Sequence, residues 1–326
     1  MPRPPRCATF LFMAVGITTH VVAGKLDSAT YIAFESDRGG NRDIYVMDAD
    51  GDDPVAMTNH LGADFQPDWA PDGAKIVFAS DRDGQFRGHV QLYVVDVPGG
   101  DVERITDDMK TEVNPRWAPD GRSIAFLTAW WAGAEPRREI QLLDWRTRER
   151  RVLLRDDALD GDGISWSPDG RMIAFGSWRE RGNQEIYLLD VAGGGVRRLT
   201  NHPAFDLGPA FSPDGRRILF VSLRDGGIAT IHVSDIRRWA PVALPALGWQ
   251  PAWSPSGDRF LFSHWDLAKL DTDIHVADAN GRRHRNLTDR FGADSHPDWL
   301  DPAYTRAVSP AGRAAITWGS LKSPAR

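Results

Sequence analysis

The chain alternates short apolar runs with turn-forming clusters, and the same order of apolar and polar positions comes round six times. The clearest copy is QPDWAPDGAKIVFASDR, residues 66 to 82. An aromatic residue, Trp69, leads into Ala-Pro-Asp-Gly. Pro71 fixes φ, Asp72 bonds its own backbone and Gly73 supplies positive φ, so this cluster predicts a tight turn. Ile76-Val77-Phe78 after it is β-branched and aromatic, and the unit reads as strand, tight turn, strand. No segment shows helical periodicity.

Four segment types recur. The first ends in an anchor aromatic: Trp69, Trp117, Trp166, Phe211, Trp253 and Trp299, spaced by 48, 49, 45, 42 and 46 residues. The second follows the turn, as in Ile32-Ala33-Phe34 and Ile124-Ala125-Phe126. The third is an apolar run closed by Asp48, Asp96, Asp144, Asp190, Asp235 or Asp278. The fourth is short and ends near Thr58, Thr106, Leu154, Thr200, Leu244 or Thr288. Four short strands per repeat of this length define a propeller blade. The predicted fold is all-β, a six-bladed β-propeller of four-stranded blades over residues 24–302. The chain enters at a second-type strand, so residues 294 to 299 are expected to supply the missing innermost strand of the first blade. That closes the ring and removes an open sheet edge.

The pattern WSPDG-K/R-x-I-x-F-x-S-x-R with D-I-Y-x-x-D-x-x-G resembles the TolB-type, WD-like β-propeller repeat over roughly residues 30 to 300. The resemblance implies a periplasmic protein that works by binding protein partners. The α/β domain that precedes the propeller in TolB is expected to have no counterpart here, since repeats begin soon after residue 23. Similar blades occur in prolyl-oligopeptidase relatives and in oligogalacturonate lyases, which supplies the enzyme alternative.

Composition refines this picture at a few points. A formal charge of −6 argues against a nucleic-acid partner, which needs clustered Lys and Arg. Arg3 and Arg6 followed by an apolar stretch to Ile17 and by Val21-Val22-Ala23 mark residues 1–23 as a candidate signal peptide. The expected location is periplasmic or secreted, with no membrane span in the mature chain, which is expected to be a monomer. Residues 303–326 form a tail whose VSPAGRAAITWGSLK resembles another turn plus strand.

Candidate chemistry is sparse. Gly163-Ile164-Ser165-Trp166-Ser167 approaches a nucleophile elbow but lacks its last glycine and falls within a blade strand. No catalytic residue is assigned. Five positions before the anchors stand Asp64, Glu112, Asp206 and Asp294, with Asp162 displaced by one. They are expected to form a negative rim around the channel that would attract cations or a basic peptide. Trp130, Trp131, Trp178 and Trp265 follow the second-type strands and are expected as an aromatic arc on the same face, suited to protein contact or sugar stacking. Arg38, Arg82, Arg179 and Arg224 accompany this edge and are expected to pair with aspartates. His264 and His296 are the candidate metal ligands, and a channel-bound divalent cation is the one cofactor considered. The reading favoured is a non-catalytic envelope scaffold that binds a protein or peptide on one decorated face. The alternatives are a metal-assisted glycan-acting enzyme, lyase or hydrolase, and a sensor propeller holding a small sugar or peptide.

Overall fold

The alternating runs form 24 short strands in six antiparallel four-stranded sheets, with no helix among the described residues. This computed structural model describes residues 30–83, 89–97, 99–180, 182–289 and 292–300. The candidate signal peptide 1–23 and the tail 303–326 lie outside them.

Blade 1 joins the two ends of the described chain. Its innermost strand, Asp294–Trp299, pairs antiparallel with Tyr31–Ser36, which continues to Asp43–Asp48 and Val55–Ala56. The expected closure is therefore found, with Ile32 opposite Trp299. The innermost strands of blades 2 to 6 are Asp64–Trp69, Thr111–Trp117, Leu159–Trp166, Asp206–Phe211 and Trp249–Trp253. Each is followed by its blade's second, third and outermost strands in chain order. Cores form between adjacent sheets. Val77, Leu92, Trp117 and Phe126, for example, lock blade 2 onto blade 3. A sheet thus buries one face against each neighbour, which is why the second strands read as continuous apolar runs.

The molecule has two ends of distinct chemistry. The Pro-Asp-Gly turns lie on one, the turn face. The loops from second to third strand, and from the outermost strand to the next blade, lie on the other, the loop face. Most second strands stop near their serine, as at Ser80. Blades 3 and 6 depart from this. Their second and third strands run on as longer hairpins, Ser123–Ala132 with Glu135–Asp144, and Arg259–Asp266 with Asp271–Asp278. Trp130, Trp131 and Trp265 therefore sit on extended strands, not on loops. In a ring of six, blades 3 and 6 stand opposite each other.

Candidate functional site

Every innermost strand carries a β-bulge, at the step Phe65/Asp68 in blade 2 and at the matching step in the other five. The bulged residue has positive φ: Gln66, Asn114, Gly163, Gly208, Gln250 or His296. In five blades a proline follows it, where a missing N–H costs no ladder bond. The extra residue reverses the alternation upstream of it. Asp64, Pro67 and Trp69 are buried on one side of the strand, and residues 66 and 68 are left toward the channel.

The expected carboxylate rim does not survive this reversal. Asp64, Glu112, Asp206 and Asp294 are fully buried, and a buried charge persists only when paired. Arg82 binds Asp64 at 2.5 Å, Arg224 binds Asp206 at 2.9 Å and Arg38 binds Asp294 at 2.8 Å. Ser80 and Ser222 donate to the first two carboxylates at 2.6 Å. Each arginine also lies over its blade's aromatic residues, as Arg82 does over Phe78 and Tyr93. In blade 4 the acid that meets Arg179 is Asp156, at 2.5 Å. Asp162 lies in the innermost strand, but its side chain is outside the described residues. The expected pairing of the four arginines holds, and it neutralises the rim they were set beside.

The two blades with long hairpins are the two that lack this pair. In blade 3 Trp130 replaces the arginine, and Arg150 from the outermost strand reaches Glu112 at 2.8 Å instead. Burial still pushes Glu112 up to about 7, against the opposing pull of Thr106 and Arg150. Lys110 lies 4.3 Å over the Trp130 ring. In blade 6 Gly248 stands where the acid would be and Trp265 where the arginine would be. The exchange leaves Trp265 exposed in blade 6, whereas in blade 3 Trp130 is half-buried and its neighbour Trp131 is the exposed ring. Trp131 is 72% exposed and Trp265 48%, while Trp178 packs edge-on against Phe205 at 4.9 Å.

Sequence reasoning missed most of this surface. Leu61, Met109, Ile228, Leu247, Trp249, Leu267 and Leu270 are also exposed, all on the loop face. Ten of the thirteen large apolar residues exposed among the described ones lie there, and the other three are valines of outermost strands. Isolated leucines in loops carry no periodic signal, so only their shared position in the ring reveals them.

The channel wall is built from the residues at and after the bulges. Glu35 accepts the Gln66 N–H at 2.9 Å, and Gln66 Oε1 accepts the Asn114 N–H at 2.9 Å, so a blade's side chain caps its neighbour's bulge. Gln250 does the same for His296 at 3.2 Å, and its Nε2 lies 2.9 Å from His296 Nε2. His296 Nδ1 lies 3.2 Å from Glu35. Burial alone would raise Glu35, but His296, Ser295 and the Gln66 N–H bring it down to about 2. One step on, Asp298 accepts the Trp69 N–H at 2.8 Å and Asp68 accepts that of Trp117 at 2.6 Å. Arg116 lies 3.3 Å from Asp68. Burial and the nearby Asp298 push Asp68 up to about 8, and burial raises Asp298 as well.

His264 and His296 have separate partners. His264 Nδ1 meets the Leu247 carbonyl at 2.8 Å and its ring lies 4.8 Å from that of His275. Among the described residues no group of three or more His, Cys, Asp or Glu is placed to hold a metal ion.

These features define a closed six-bladed propeller with an apolar loop face and a polar-walled channel, an architecture of binding proteins and of some enzymes. The TolB beta propeller domain matches residues 27–179 and 128–237, well over half of the chain, and the chain belongs to that family. The Tol-Pal system protein TolB of Francisella tularensis subsp. mediasiatica is 33% identical over 73 residues, 22% of this chain and 17% of that protein. TolB from Acinetobacter baumannii superposes with a TM-score of 0.73 at 25% identity, covering 83% of this chain and 66% of that one. The chain thus spans less than two thirds of either relative. Oligogalacturonate lyase from Vibrio parahaemolyticus shares the fold, with a TM-score of 0.56 at 16% identity over 78% of this chain and 73% of that one.

Proposed function

We propose that this protein is a non-catalytic scaffold of the bacterial cell envelope that captures a protein or peptide partner on its loop face. The observation that carries this reading is the concentration of exposed apolar side chains there, around Trp131, Trp178 and Trp265. Exposed apolar side chains gathered on one face of a fold mark contact sites. Large aromatics at such positions bury much area for little rotamer entropy. Family membership supports a protein as the partner. Residues 1–23 would direct export.

The test is capture from the native envelope fraction by tagged wild type and by the Trp131→Ala, Trp178→Ala, Trp265→Ala triple variant. A protein retained by wild type, lost by the variant and rebound in purified form supports the reading. Equal capture by both chains overturns the assignment of the face.

A further inference from the structure

The channel opens on the turn face as a funnel of ≈ 290 Å³. Among the described residues its mouth is ringed by the turn prolines Pro71, Pro119, Pro168, Pro213 and Pro255, and its walls include the half-buried anchors Trp166 and Phe211, the other four anchors being buried behind it. Among the described residues of the lining, the charged groups are Asp68, Asp298 and Arg116, which lie deeper, on the innermost strands of blades 2, 1 and 3. The matching positions of blades 4 to 6 are Ser165, Ala210 and Ala252, none of which is charged. His296, with Glu35 behind it, is the next titratable group along the channel.

We propose that this funnel is a second binding site, separate from the loop face, and that it takes a primary ammonium group carried on an alkyl stem, as on a lysine of an extended peptide segment. The prolines with Trp166 and Phe211 suit the methylenes, which lose water at little cost, and the carboxylates below suit the charged tip. The floor carries two carboxylates against one guanidinium, so with both acids ionised it has one uncompensated negative charge. An ammonium supplies the missing positive charge together with three donors.

A divalent metal fits the floor less well. Asp68 and Asp298 each commit Oδ2 to a backbone N–H, and Arg116 lies against Asp68. Among the described residues the six or more oxygen ligands that calcium needs are not assembled there. Mutual repulsion in a buried site favours keeping one proton between the two aspartates in the empty funnel. A bound ammonium displaces that proton to solvent. Ligand affinity should therefore rise with pH between 6 and 9, before lysine itself loses its charge.

The probe is acetyl-Ala-Lys-Ala-amide, with the norleucine peptide as its uncharged counterpart, titrated calorimetrically into the full chain in buffers of different ionisation enthalpy. The lysine peptide should bind at least tenfold more tightly than the norleucine peptide and release protons on binding. Asp298→Asn should weaken it at least tenfold, whereas Trp131→Ala should leave it unchanged. Equal binding of the two peptides overturns the site, as does unchanged affinity in a folded Asp298→Asn chain. Displacement of the lysine peptide by millimolar calcium chloride would make the floor a metal site and overturn the ammonium assignment. If Asp298→Asn fails to fold, the norleucine comparison and the wild-type proton release still decide.

Discussion

Replacing Asp68 by Asn should make the protein more resistant to rising pH. In the folded chain burial and Asp298 hold the Asp68 carboxyl up to about 8, from an ordinary value of 3.8. The unfolded chain gives up this proton near pH 4, and the folded chain keeps it for about four more pH units. Between those limits unfolding releases a proton, so stability falls as pH rises through the window. Each unit corresponds to about 1.4 kcal/mol. Because the proton is shared with Asp298 and Arg116 screens the pair, a cost on the order of 2–3 kcal/mol by pH 8 is the reasonable magnitude. Asparagine is isosteric, retains an oxygen for the Trp117 N–H and carries no charge at any pH. Arg116 retains Asp298 as counter-charge. Urea unfolding at pH 5, 6.5 and 8 checks this. The advantage of the variant over wild type should be smallest at pH 5 and larger by about 2 kcal/mol at pH 8. Parallel pH profiles, or a variant weaker at every pH, would refute the account of a proton-sharing pair.

Three further outcomes follow from the packing. Arg82→Met strands the fully buried Asp64 carboxylate and should cost about 3–5 kcal/mol, with much of it recovered in the Arg82→Met, Asp64→Asn double variant, as a double-mutant cycle would read. Gly248→Ala places a Cβ 2.3 Å from the Ser263 carbonyl oxygen and 2.8 Å from the Phe262 ring, so a thermal scan should show severe destabilisation, unlike Gly99→Ala, whose Cβ meets nothing within 4 Å and costs only the backbone strain of its positive φ. Trp131→Ala, at the surface, should change stability by less than about 0.5 kcal/mol, whereas Trp117→Ala in the core between blades 2 and 3 should cost about 3–5 kcal/mol by denaturant titration.

The chain's own pattern was enough for the architecture. Pro-Asp-Gly turns and apolar second strands are local features, repeated often enough that blade number, strand order and the closure of 294–299 onto Tyr31–Ser36 could be read directly. The Ser-x-Arg ends of four second strands also announced arginines in search of carboxylates. The fate of the charges was not legible. Alternation carried through the innermost strand puts Asp64 and Asp68 on the same side. The bulge at Gln66-Pro67 separates them, burying the first and leaving the second to the channel. A proline two residues before the anchor was the available clue. The long hairpins of blades 3 and 6 likewise continue an ordinary strand pattern, with nothing to mark where pairing stops.

What the sequence determined by itself is therefore whatever depends on neighbours along the chain: strands, turns, repeat length and the number of blades. What only the tertiary structure decided depends on neighbours far along it. Arg38 meets Asp294 across 256 residues, and Asp298 reaches the Trp69 backbone across 229. A side chain's charge and exposure are fixed by the low-dielectric surroundings that other blades supply. The same residue type can thus be a buried internal partner at one position of a blade and a channel-lining group four residues further on.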